Sequence, residues 1–291
     1  MDRRPRILLL LAVLVVPFGV LDVAPAPHAA AADGPNCGTT VYKASGEAWQ
    51  CTFSEGFSSS TLDTTKWRPL LTRNTDAQTP ECRIKDNRTV ALANGVLKLT
   101  VRKLSSPMTC TTKSGSTYRT SYIGGGIATN GLFHLTYGRV QFRAAMPYYG
   151  GRGIHSALWL WPAYMKYGEK SGELDVAEWR SSQPHRVVPT VHYNDGGADP
   201  DITNWACYVD KVWNFHTYTL EWTRDSLRFL YDGKLCLEDS WISADGLTKP
   251  APFDEPYFLI LNQALGSGQN AVTSSTAFPQ SMSVDYVRVW R

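Results

Sequence analysis

The chain has 291 residues, of which 43% are hydrophobic, 12% aromatic and 19% charged, with a formal net charge of +3. That is enough apolar material for one large packed core or two smaller ones, and the charge supplies no basic stripe of the kind a nucleic-acid binder needs. Ten tryptophans and fourteen tyrosines suit either core packing or flat platforms for a ligand with apolar faces.

In chain order, Arg3, Arg4 and Arg6, the apolar run from Ile7 to Leu21 and the small residues Ala29 to Ala32 predict a secretory signal over residues 1–32. The run is short for a membrane span and ends in a small-residue cleavage site. The remainder, 33–291, is expected to form a single exported domain, monomeric, with no membrane and no nucleic-acid partner. Cys37, Cys51, Cys82, Cys110, Cys207 and Cys236 are an even set, which in an exported chain predicts disulfides. Pairing sequence neighbours gives 37–51, 82–110 and 207–236. No Cys-x-x-Cys occurs, so neither a zinc nor a redox site is expected.

Short runs rich in β-branched and aromatic residues follow, separated by turn residues. They are Gly95–Val101, Gly138–Arg143, Ser156–Trp161, Val187–Tyr193, Thr217–Trp222, Ser226–Tyr231, Tyr257–Leu261 and Ser283–Val289. Several alternate with period two, which reads as strands. Asp232-Gly233 signals a tight hairpin. No long helical periodicity competes, so the fold class is all-β, an antiparallel β-sandwich.

The segment Ser171-Gly172-Glu173-Leu174-Asp175-Val176-Ala177-Glu178-Trp179 places three carboxylates within six residues, and its surroundings are apolar. Unpaired buried charge is costly and concentrates where chemistry needs it. Residues two apart on a strand share a face, so Glu173 and Asp175 point together, whereas Glu178 has the wrong parity. One extra residue at Val176-Ala177, a β-bulge, would restore it. The two glutamates would then sit roughly 13 Å apart at the backbone, close enough for long side chains to converge on one sugar. A retaining glycosidase needs carboxyls about 5–5.5 Å apart, one to attack and one to serve as acid, then base. Asp175 between them would share a proton or hydrogen bond and hold the nucleophile. The competing reading is a solvated polar strand face. Trp179, next to Glu178, should face the core.

With those residues in view, the chain resembles glycoside hydrolase family 16, near its laminarinase-like bacterial members. Glu173-Leu174-Asp175-Val176-Ala177-Glu178 is similar to that family's Glu-x-Asp-x-x-Glu signature. Flanking similarities are Tyr137–Arg143, Ala157–Pro162, Phe215–Thr223 with Tyr231-Asp232-Gly233, Leu259–Asn262 and Val284–Val289. The resemblance implies a jelly roll of the concanavalin A-like type, with a substrate cleft across its concave sheet. It implies Glu173 as nucleophile, Glu178 as acid/base and Asp175 as assistant. It further implies Trp159 as a residue lining the cleft, and His192, on the strand beside the catalytic one, as a substrate-binding residue or a hydrogen-bonded core histidine; Trp161 has the parity of Trp159 and faces sugar or core, and His155 is the remaining candidate for substrate binding. His155 stands where the family stacks a tryptophan on sugar, and Gly126 where many laminarinases carry an arginine. No cofactor is required; a structural calcium is an option, with Glu55 and Asp285 as the residues to inspect.

Other chemistries lack their motifs: no His-Glu-x-x-His and no Gly-x-Ser-x-Gly is present, which argues against zinc and serine hydrolases. The resemblance therefore implies retaining endo-hydrolysis of β-1,3- or mixed β-1,3-1,4-glucan. Glu173's charge is expected to keep Glu178 protonated. Three alternatives remain open: a lectin-like binder on the same scaffold, a glycanase for galactans such as agarose or carrageenan, and transglycosylation through the same covalent intermediate.

Overall fold

The structure, a computed structural model, describes residues 35–76, 79–193, 201–243 and 246–291. The predicted signal segment lies outside them. Strands in chain order are β1 (Cys51–Glu55), β2 (Arg68–Pro69), β3 (Cys82–Arg83), β4 (Val90–Ala93), β5 (Val96–Thr111), β6 (Thr117–Ala128), β7 (Gly138–Ala145) and β8 (Ile154–Pro162). They continue as β9 (Glu173–Arg180), β10 (Val187–His192), β11 (Asp201–Thr203), β12 (His216–Trp222), β13 (Leu227–Tyr231), β14 (Lys234–Asp239), β15 (Tyr257–Leu265) and β16 (Gln280–Trp290). Among the described residues, the helical elements between them are three single 3-10 turns. No helix among the described residues is long and apolar enough to cross a membrane.

Two antiparallel sheets face each other. One runs β11-β10-β9-β8-β15-β6, with β2 on β6; the other runs β5-β16-β7-β12-β13-β14, with β4 on β5 and β1 on β16. The long β5 pairs first with β16 through Leu97–Val101 and then with β6 through Arg102–Thr111, so the β5–β6 hairpin joins the sheets. Between the layers, Leu158, Leu160, Leu174 and Trp179 meet Phe142, Tyr218, Leu220 and Phe229, all fully buried. Each such side chain contributes roughly 1.5–3 kcal/mol by leaving water. The indole of Trp179 donates to the Pro184 carbonyl at 3.1 Å, so its one polar atom is satisfied inside the core.

Every strand read from sequence is present, and Asp232-Gly233 turns with both φ positive, 47° and 77°, as a two-residue hairpin loop requires. The three disulfides are 37–51, 82–110 and 207–236. The sequence does not reveal β6, because Gly124-Gly125-Gly126 reads as a loop. Packing explains those glycines. A Cβ on Gly125 would lie 2.0 Å from the Thr89 carbonyl oxygen, and one on Gly126 would lie 2.7 Å from Leu70 Cδ1. The segment after β2 crosses β6 here, with Leu70 N–H donating to the Gly126 carbonyl at 2.9 Å. Leu70 thus fills the space that an arginine at 126 would need.

Candidate active site

The pairing of β9 decides the site. Against β8, Leu158 pairs with Ala177 but Trp159 pairs with Asp175; against β10, Val188 pairs with Glu178 but Thr190 with Asp175. Both neighbours therefore skip one residue of β9, a bulge at Val176-Ala177. The bulge reverses the alternation, and Glu178 emerges on the face that carries Glu173 and Asp175. The Val176 carbonyl at the bulge is buried and has a partner: the Tyr231 hydroxyl, reaching across the core from β13, donates to it at 3.0 Å. Gly172 starts the strand at φ 75°, where a Cβ would lie 2.8 Å from the His192 carbonyl oxygen, so only glycine fits.

Register fixes the rest of this concave face. Ala157 pairs with Glu178, Trp159 with Asp175 and His155 with Arg180. Asn262, Ile260 and Phe258 pair with Ala157, Trp159 and Trp161. The Trp159 indole donates to Asn262 Oδ1 at 2.7 Å, and its ring meets Trp161 edge-on with centroids 6.0 Å apart. Trp159, Trp161, Phe258, Ile260, Leu70 and Arg68 line a cavity of about 500 Å³, a size and apolar character that suit a small ligand. Its aromatic faces match the apolar faces of pyranose rings.

The carboxylates are held by histidines from both sides. His192 Nε2 lies 2.8 Å from Asp175 Oδ2, and His155 Nε2 lies 2.9 Å from Glu178 Oε1. Arg180 Nη2 donates to Glu178 Oε1 at 3.2 Å and to Oε2 at 3.1 Å. Side-chain oxygens of Glu173 and Asp175 and a ring nitrogen of His192 lie within 4.8 Å of one another. Burial pushes Glu173 up to about 8, helped by the Asp175 charge. Burial also raises Asp175, although the His192 hydrogen bond opposes it. Burial alone would raise Glu178, but the His155 hydrogen bond and the charges of His155 and Arg180 outweigh it and hold its carboxyl below the usual range. These directions run against the expectation that the Glu173 charge keeps Glu178 protonated: Arg180 and the His155 hydrogen bond, partners that the strand pattern does not weigh, favour the Glu178 carboxylate.

The structure brings Glu173, Asp175, Glu178, Trp159, Trp161, His155 and His192 to one face. His155, read as a sugar contact, also grips Glu178. Asn262, Arg180, Tyr231 and Trp205 were not found in the sequence. Arg180 had a signal, since it lies two residues beyond Glu178 and so shares its face; the other three come from distant segments. The calcium option fits poorly. Asp285 is bound by Arg143, and Glu55 accepts from the Phe57 N–H at 2.7 Å and lies 3.7 Å from Lys66 Nζ. Carboxylates already facing cations do not make an oxygen cage for a divalent ion.

The sequence matches the family described as Glycosyl hydrolases family 16 over residues 78–286. The chain belongs to that family. It is 35% identical over 185 residues to glucan endo-1,3-beta-glucosidase A1 of Niallia circulans, covering 58% of this chain and 26% of that protein. It is 35% identical over 192 residues to a beta-glucanase of Rhodothermus marinus, covering 58% of this chain and 63% of that one. The chain thus spans about a quarter of the first relative and under two thirds of the second. The laminarinase of Rhodothermus marinus, solved by X-ray methods, superposes with a TM-score of 0.71 at 28% identity, covering 84% of this family 16 chain and 97% of the other.

Proposed function

We propose that this family 16 protein is an exported endo-β-glucanase that cleaves β-1,3- or mixed β-1,3-1,4-linked glucan with retention of anomeric configuration. The observation that carries this reading is the bulge in β9, which sets Glu173 and Glu178 on one face around Asp175. The beta-glucanase and endo-1,3-beta-glucosidase names of its relatives support the substrate class. The three disulfides and the basic, then apolar, start of the sequence support export.

A glucan lies across the strands, one ring against Trp159 and Trp161. Glu173, ionised, attacks the anomeric carbon; Glu178 gives its proton to the departing oxygen. Glu178, now a carboxylate, then takes a proton from water as the water displaces Glu173. Asp175, oriented by His192, holds Glu173 and relays its proton. The first step consumes one proton, which must stand on Glu178 with Glu173 ionised; burial opposes the Glu173 charge and Arg180 opposes the Glu178 proton, so substrate binding has to shift both.

A reducing-sugar assay on laminarin, lichenan, agarose and carrageenan, with Glu173→Gln as the inactive control, tests the activity. NMR of the first-formed product anomer tests retention. Release from agarose or carrageenan alone would move the substrate to galactans. Binding to glucan without release by the wild type would leave a lectin.

A further inference from the structure

The Trp159–Trp161 cavity lies on the β15 side of the catalytic strand. A different surface lies at the Glu178 end of that strand, where Arg180 of β9 meets Trp205, which follows β11. Arg180 and His155 are register partners, side by side next to Glu178. The Arg180 guanidinium carbon sits 5.4 Å from the ring centroid of Trp205, a residue just after β11 that is 48% exposed. The Trp205 segment is itself anchored: Asn204 Nδ2 donates to the Cys236 carbonyl, and Cys207 is bonded to Cys236. Arg180's side chain is one-third exposed, at 33%. Only its Nη2 is used, so Nε and Nη1 have no partner among the described residues. A guanidinium stacked on an indole, with donors to spare, is a receptor for a planar or tetrahedral anion.

We propose that Arg180, Trp205 and His155 receive an anionic substituent of the glycan, a carboxylate or a sulfate ester, and that this anion draws Arg180 away from Glu178. The inference rests on the glycanase reading of the same cleft. It names the substrate class there. Arg180 touches Glu178 and stacks on Trp205, so it can answer both anions. When the substrate engages it, Glu178 loses a cation, which favours its protonated form. The groups that face Glu178 are Glu173, Asp175 and Arg180 on its own strand, His155 on β8, His192 on β10 and the Tyr231 hydroxyl from β13. Of these, only Arg180 is a permanent cation.

Calorimetric binding to the Glu173→Gln protein tests this, with three probes of equal length: neutral laminari-oligosaccharides, their carboxymethylated form and their sulfated form. The expected result is at least tenfold tighter binding of one anionic form, a gap that narrows as salt is raised. The two anionic arms separate carboxylate from sulfate. Arg180→Gln should close the gap, and so should Trp205→Ala, whose half-exposed position spares the fold. In the wild type, the anionic form should raise kcat as well as lower KM, because the protonated form of Glu178 is then favoured. Equal binding of all three probes would overturn the proposal and leave the glucanase reading standing. Tight binding of an anionic probe with no cleavage or binding of neutral glucan would uphold it and overturn the neutral substrate. Binding of none of them would sink both.

Discussion

Tyr231 stands behind the bulge, and its hydroxyl tests whether that bulge is held by tertiary structure. Tyr231→Phe keeps the ring, its edge-on contact with Tyr218 at 5.0 Å and the core volume. It deletes only the donor to the Val176 carbonyl. The carbonyl is buried, so it loses its partner with no water to replace it. Such a loss costs about 1–3 kcal/mol. For a domain of this size, that lowers Tm by roughly 2–4 °C per kcal/mol. The lost bond also releases the one atom that pins the bulge from the far sheet. Glu178 follows Val176 by two residues, so kcat should fall about tenfold or more while KM for glucan moves little. Denaturant unfolding at two pH values and initial rates on laminarin measure both effects. Unchanged stability together with unchanged kcat would refute the reasoning, since the bulge would then be fixed by β8 and β10 alone.

Glu173→Gln should raise stability while abolishing activity. The native Glu173 holds its proton up to about 8 against an ordinary 4.5, so folding loses stability as pH rises between those values. The gain in unfolding free energy from the amide should therefore be larger at pH 8 than at pH 5, by up to a few kcal/mol at about 1.4 kcal/mol per unit; an equal gain at both pH values in denaturant unfolding would contradict the burial argument. His155→Ala removes the first hydrogen bond that keeps Glu178 ionised. The alkaline limb of the kcat/KM profile should move up, and movement down would show that His155 acts otherwise. Gly125→Ala, aimed at the Thr89 carbonyl at 2.0 Å, should be more destabilising than Gly126→Ala, which meets the movable Leu70 side chain at 2.7 Å. Thermal melts should order them so, the second costing about 1–3 kcal/mol.

Much of this protein was legible before folding. Alternation in Gly138–Arg143 and Thr217–Trp222, and the turn at Asp232-Gly233, are local signals with a period of two, and β7, β12 and β13 obey them. The three acids of β9 announced the site, and their odd spacing announced the bulge, because burying Leu174 and Trp179 on one side leaves the acids only the other. β6 is not among the runs that the sequence shows as strands, because the reason for its glycines is not local: the Thr89 carbonyl and Leu70 arrive from other segments. Where the proton sits was also out of reach. It depends on His155 from β8 and Arg180 both closing on Glu178, and electrostatic balance in a buried cluster is set by distances of a few ångströms. Likewise Tyr231 and Trp205, 53 and 27 residues beyond Glu178 in the sequence, reach the site only through strand order. Sequence determined which groups are present and which way each strand turns them; the meeting of strands far apart in the chain decided which acid is charged.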